Sequence, residues 1–126
     1  MKLTDEQFNY FKNRVYHWAD FFKLYDWQIT VDKHLERSKD ETRTAYVSLH
    51  SPTHSATVYI IPEWDLCNIN EVNLNRTALH EVCHILTADI EHFADSRCNP
   101  DSVNRAVEAF AIRMVNIITG KFDEEL

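Results

Sequence analysis

The sequence predicts an α+β fold in the order helix, strands, helix, helix. Three observations carry this. An apolar stripe at helical spacing opens the chain, β-branched and alternating runs fill the middle, and two more helical stripes close it. A single glycine, Gly120, and three prolines, Pro52, Pro62 and Pro100, argue for long elements and short connections. At 126 residues the length suits one domain over 1–126.

The first helix is expected from about Thr4 to Leu24. Thr4 with Gln7 has the form of a capping box. Phe8, Phe11, Val15, Trp18 and Phe22 then recur at spacings of three and four, the mark of a buried helix face. Strand-like runs follow. Ile29 and Val31 alternate with polar residues between Trp27 and Leu35. Between Thr42 and His50, Ala45, Val47 and Leu49 share one face and Tyr46, Ser48 and His50 the other. The third run, Thr57 to Ile61, is β-branched and aromatic, and Ser51-Pro52-Thr53 makes a turn before it. Short connections favour hairpins, so an antiparallel sheet of about three strands is expected. A helix should begin within Asn68–Asn75 and run to about Phe93. The last helix should start after Asn99, with Pro100 in its first position, and stop near Gly120.

Composition excludes several classes. Thirteen Lys and Arg against twenty Asp and Glu give a formal charge of −7, which argues against a nucleic-acid partner. No apolar run approaches the roughly 18 residues of a membrane span, and no membrane partner is expected. The charged N-terminal stretch lacks the apolar core of a secretion signal, so a cytoplasmic location is expected. Cys67, Cys83 and Cys98 are odd in number and unpatterned, which implies neither disulfides nor a thiolate zinc site.

The residues 80–84, His-Glu-Val-Cys-His, form the pattern H-E-x-x-H. Two histidines four apart share a helix face and can reach one Zn²⁺, while the Glu beside the first can take a proton from a water on the metal. With seven His in the chain, a shuffled sequence of this composition contains the pattern only about 3% of the time. Leu79, Val82, Cys83, Leu86, Ile90 and Phe93 make an apolar stripe through it, and the histidines stand roughly 120° from its centre, at the edge of the core.

Catalytic zinc takes three protein ligands and leaves one position open. Asp89 and His92 point off the histidine face of a continued helix. Glu91 shares that face but lies about 10 Å along the axis from His84. On the next helix, Glu108 flanks the stripe of Val103, Ala106, Val107, Phe110, Met114 and Ile118, again roughly 120° from its centre. Packing stripe to stripe would bring His80, His84 and Glu108 to one edge. Asp101 is the alternative ligand, and Asn104 a residue that could support one.

These features resemble the gluzincin metallopeptidases, with H-E-x-x-H on one helix and a ligand Glu on the next. Residues 79–94, LHEVCHILTADIEHFA, and 103–115, VNRAVEAFAIRMV, look most like small stand-alone metallopeptidase-like proteins of phages and mobile elements. They are more distantly similar to the ImmA/IrrE type, which acts on repressors. The resemblance implies His80, His84 and Glu108 as zinc ligands and Glu81 as general base. It implies hydrolysis of peptide bonds in a protein or peptide substrate. An edge strand would hold that substrate by β-addition. Tyr46, Tyr59, His50 and His54 are the residue types at hand for an oxyanion donor. Cys83 reads as a small buried hydrophobe. The alternatives are a zinc-binding interaction or regulatory protein without hydrolysis, and a metal-free α+β domain.

Overall fold

The structure, a computed structural model, describes residues 1–34, 43–65 and 67–124, the side chains of 121–124 excepted. Its first helix, α1, spans Asp5–Phe21. Thr4 caps it as expected: Thr4 Oγ1 accepts the Gln7 N–H at 3.1 Å, and Gln7 Oε1 accepts the Thr4 N–H at 2.9 Å. The stripe of Phe11, Val15 and Trp18 is buried.

Three strands follow: β1 (Gln28–Lys33), β2 (Ala45–His50) and β3 (Ser55–Ile60). β2 and β3 form the expected hairpin around a 3₁₀ turn at Ser51–Thr53, closed by His54 in a left-handed conformation (φ 52°). The rest of the sheet departs from expectation. Its order is β1-β3-β2, and β1 runs parallel to β3, so the sheet is mixed rather than antiparallel throughout. The connection over 34–44 is too long for a tight turn. At either end of it, His34 N donates to Ile60 O and Ile61 N donates to Thr44 O at the end of β3. β3, with Ala56, Val58 and Ile60 all buried, takes the centre. β2 is left as an edge strand among the described residues. Leu35 and Thr42, placed in strands by the sequence, lie outside those residues.

Helix α2 spans Glu71–Leu86, and its N-cap Asn70 accepts the Asn73 N–H at 2.8 Å. It buries Leu74, Ala78, Leu79, Val82 and Ile85 against α1 and the sheet. Each of the larger of these side chains contributes about 1.5–3 kcal/mol by leaving water. The expectation of one helix to Phe93 is not met. The chain breaks at Thr87, whose hydroxyl donates to Cys83 O at 3.2 Å, and a separate helix, α3, spans Ala88–Asp95. Ile90 and Phe93 therefore leave the stripe and are 73% and 64% exposed. Helix α4 spans Pro100–Glu124 and starts as expected, with Asn99 Oδ1 accepting the Asp101 N–H at 2.9 Å. It runs on past Gly120, which has no positive φ and does not cap it. No described helix is long and apolar enough to cross a membrane.

Candidate metal centre

α2 and α4 pack together, and their shared edge carries the chemistry. His80 and His84 are one turn apart on α2, with their Nε2 atoms 3.3 Å from each other. Across from them stands Glu108 of α4. Its Oε1 lies 2.9 Å from His84 Nε2 and its Oε2 3.4 Å from His80 Nε2. The faces explain the meeting. Val107, Ala111 and Val115 of α4 are buried in the interface, and Glu108 sits at its margin.

His80, Glu81 and His84 form a group able to hold a metal ion, with ligand atoms all within 4.8 Å of one another. Zinc bonds of about 2.0–2.1 Å at the tetrahedral angle set neighbouring ligand atoms about 3.3 Å apart. The triangle of two imidazole nitrogens and the Glu108 carboxylate, at 2.9 to 3.4 Å, has that size. The donor set, two nitrogens and one carboxylate, also suits zinc.

Glu81 is only 6% exposed, although it lines the cleft with the histidines. Burial, then the nearby Glu108 carboxylate, pushes its pKa up to about 8, against the opposing pull of Arg43. His84 is held below its ordinary value. Burial outweighs the bond to Glu108, which acts the other way. Burial and then Glu81 raise the Cys83 thiol to about 11, so at neutral pH it is an uncharged core side chain and no ready thiolate.

The cleft has a volume of ≈ 420 Å³. One wall is the edge strand β2 with Ala45, Tyr46, Val47 and Leu49; the floor is His80, Glu81 and His84; the far wall is Glu91, Asn104 and Glu108. No family description matches the chain, and no curated protein or solved structure is found similar to it. The reading therefore rests on the geometry.

Of the four side chains considered as oxyanion donors, only Tyr46 lines the cleft. Its hydroxyl is 2.7 Å from His34 Nδ1, and its ring stacks on Tyr59. His50 bonds Thr53, and His54 lies on Trp27 between Asp26 and Asp89. Asp101, exposed in the first turn of α4, does not line the cleft, whereas Asn104 does.

Two cleft residues escaped the sequence reading. Arg43 precedes β2 and lies over the Tyr46 ring, 4.5 Å from its centre. Glu91, about 10 Å from His84 along a straight helix and so outside the expected ligand set, lines the far wall from α3, beyond the break at Thr87. The only local trace of that break was Thr87 itself, a residue type common at helix starts. No local signal marked Arg43.

Proposed function

We propose that the chain is a zinc-dependent peptidase of the gluzincin type. His80, His84 and Glu108 are its ligands and Glu81 its general base. The observation that carries this reading is the 2.9–3.4 Å triangle of His80, His84 and Glu108 beneath an edge strand, with the buried Glu81 beside it. A three-ligand site with an adjacent, non-ligating carboxylate fits hydrolysis better than a closed structural site, which takes four protein ligands.

Zinc bound there would supply a Lewis acid for the scissile carbonyl and acidify water. The chain's own residues do the rest. The backbone of β2 holds an extended peptide by strand addition. Glu81 accepts a proton from water in the cleft and delivers it to the leaving amine. Arg43, which lines the same cleft, offers a guanidinium for charge developing on the carbonyl oxygen, whereas the Tyr46 hydroxyl is engaged by His34. Burial and then Glu108 hold Glu81 protonated at neutral pH; a dication held by His80, His84 and Glu108 would favour its carboxylate form and so its role as base.

Metal content by elemental mass spectrometry tests the centre. Wild type should carry about one zinc per chain, and His84→Ala and Glu108→Ala should lose affinity by at least about 100-fold. Glu81→Gln should keep the metal and lose hydrolysis of a fluorogenic peptide library. A wild type that stays metal-free after zinc is supplied at neutral pH overturns the reading. Zinc retained with no hydrolysis of any probe or protein leaves a binding or regulatory role in its place.

A further inference from the structure

The cleft has ends of opposite charge, and the packing fixes which end is which. Arg43 and Ala45, at the start of β2, share a second cavity with His80 and Glu81. At the other end, Ser51 Oγ donates to Ala88 O at 3.3 Å, which ties the end of β2 to the start of α3. Strand β2 and the second half of α2 thus run the same way along the cleft, from Arg43 towards Glu91. The Glu91 end is fastened a second time, because His54 Nε2 meets the Asp89 carboxylate at 3.0 Å. Glu91 is half-buried and lines the cleft beside His84 and Glu108. The charges acting on it, Asp95 and Glu108, are both of its own sign.

We infer that Glu91 is a specificity-determining residue that receives a cationic group of the substrate, an ammonium or guanidinium, on the amino-terminal side of the bond to be cut. This rests on the peptidase reading for its frame. A peptide added antiparallel to β2 runs from the Glu91 end to the Arg43 end, so its amino-terminal part passes Glu91. With zinc on Glu108, Asp95 remains as a like-charged neighbour, and a cation brought by the ligand relieves that repulsion when it pairs with Glu91. The net charge of −7 favours the approach of the same ligands. Two sources supply this chemistry, a basic side chain and a free amino terminus. The first makes an endopeptidase with a basic preference, the second an aminopeptidase.

The test is binding rather than turnover, using zinc-loaded full-length Glu81→Gln and three fluorescent alanine-based hexapeptides followed by polarisation. One has an acetylated end and a lysine in its amino-terminal half. One has a free amino end and no lysine. One is acetylated and uncharged. A cationic peptide should bind about five- to ten-fold tighter than the uncharged one, and whichever does so names the source. Adding Glu91→Gln should abolish that preference while zinc content and thermal stability hold. Adding Glu91→Lys should invert it towards a peptide with glutamate in the same place. Equal binding of all three peptides overturns the inference, as does a preference that survives Glu91→Gln. Loss of zinc in Glu91→Gln also overturns it, by making Glu91 a ligand. Hydrolysis of the same peptides by the unsubstituted chain is read separately and bears only on the peptidase reading.

Discussion

At the scale of single residues, two buried groups set how the metal-free chain responds to pH. Glu81 titrates near 8 in the folded state against 4.5 when unperturbed, so between those values the folded chain holds the proton more tightly than the unfolded chain. Stability therefore falls as pH rises through that window. His84 works the other way. Its folded pKa lies below 6.5, so the stability it contributes is present above that value and is lost as pH falls through the folded pKa. The two slopes oppose each other in mild acid, which leaves pH 6.5 to 8 as the range where Glu81 acts alone. Chemical denaturation without metal should show stability declining by roughly 1.5–2 kcal/mol over that range, and Glu81→Gln should flatten the decline. An unchanged slope in the variant would place the ionisation elsewhere. Asn75 is the structural counterpart. Its Oδ1 accepts from Arg14 Nε at 2.8 Å and Trp18 Nε1 at 2.9 Å, joining α1 to α2. Asn75→Ala leaves the indole N–H without its acceptor and should cost about 1–3 kcal/mol in a urea titration.

At the scale of elements, the break between α2 and α3 makes the sharpest prediction. A helix continuous to Phe93 would bury Ile90 and Phe93, and truncating either would cost a few kcal/mol. The broken helix leaves both exposed, and the Arg97 guanidinium lies 4.8 Å from the Phe93 ring centre. Ile90→Ala and Phe93→Ala should each change stability by less than about 0.5 kcal/mol. Leu79→Ala, one residue from the first histidine and fully buried, should cost about 3 kcal/mol. Comparable losses at all three positions in denaturant melts would restore the continuous helix. The sheet shows the same kind of dependence. The three-residue turn settled the β2–β3 hairpin from local sequence, whereas the place of β1 beside β3 is a pairing between segments more than twenty residues apart.

At the scale of the whole molecule, the centre lies between α2 and α4, which are held together by apolar packing and by Arg76. The Arg76 guanidinium donates to Thr119 Oγ1 at 2.9 Å and Asn116 Oδ1 at 2.8 Å. A metal held by His80, His84 and Glu108 adds a further bond between these helices, so its binding energy becomes folding energy. Zinc at about 100 times its Kd should add about 2.7 kcal/mol and raise Tm by roughly 8–12 °C, and a chelator should reverse the shift. Glu108→Ala should keep the metal-free Tm and lose most of the increment. An equal zinc shift in that variant, read by scanning calorimetry, would exclude Glu108 as a ligand.

The sequence by itself determined whatever depends on neighbours a few residues apart. The capping box at Thr4, the stripe of α1, the first part of the α2 stripe, the hairpin turn and the shared face of His80 and His84 are set by local periodicity and hydrogen bonding, whereas the buried face of α4 turns from the expected stripe towards Ala111, Val115 and Thr119 and leaves Ala106 exposed. Local rules also put Glu108 on the flank of its stripe, and the structure finds its carboxylate 2.9 Å from His84. Tertiary structure alone decided that β1 lies parallel to β3, that β2 is an edge, that α2 stops at Leu86, and that Arg43 and Glu91 face each other along one cleft. Each of these follows from contacts between segments far apart in the chain, where packing of the common core outweighs the local preference of any one segment.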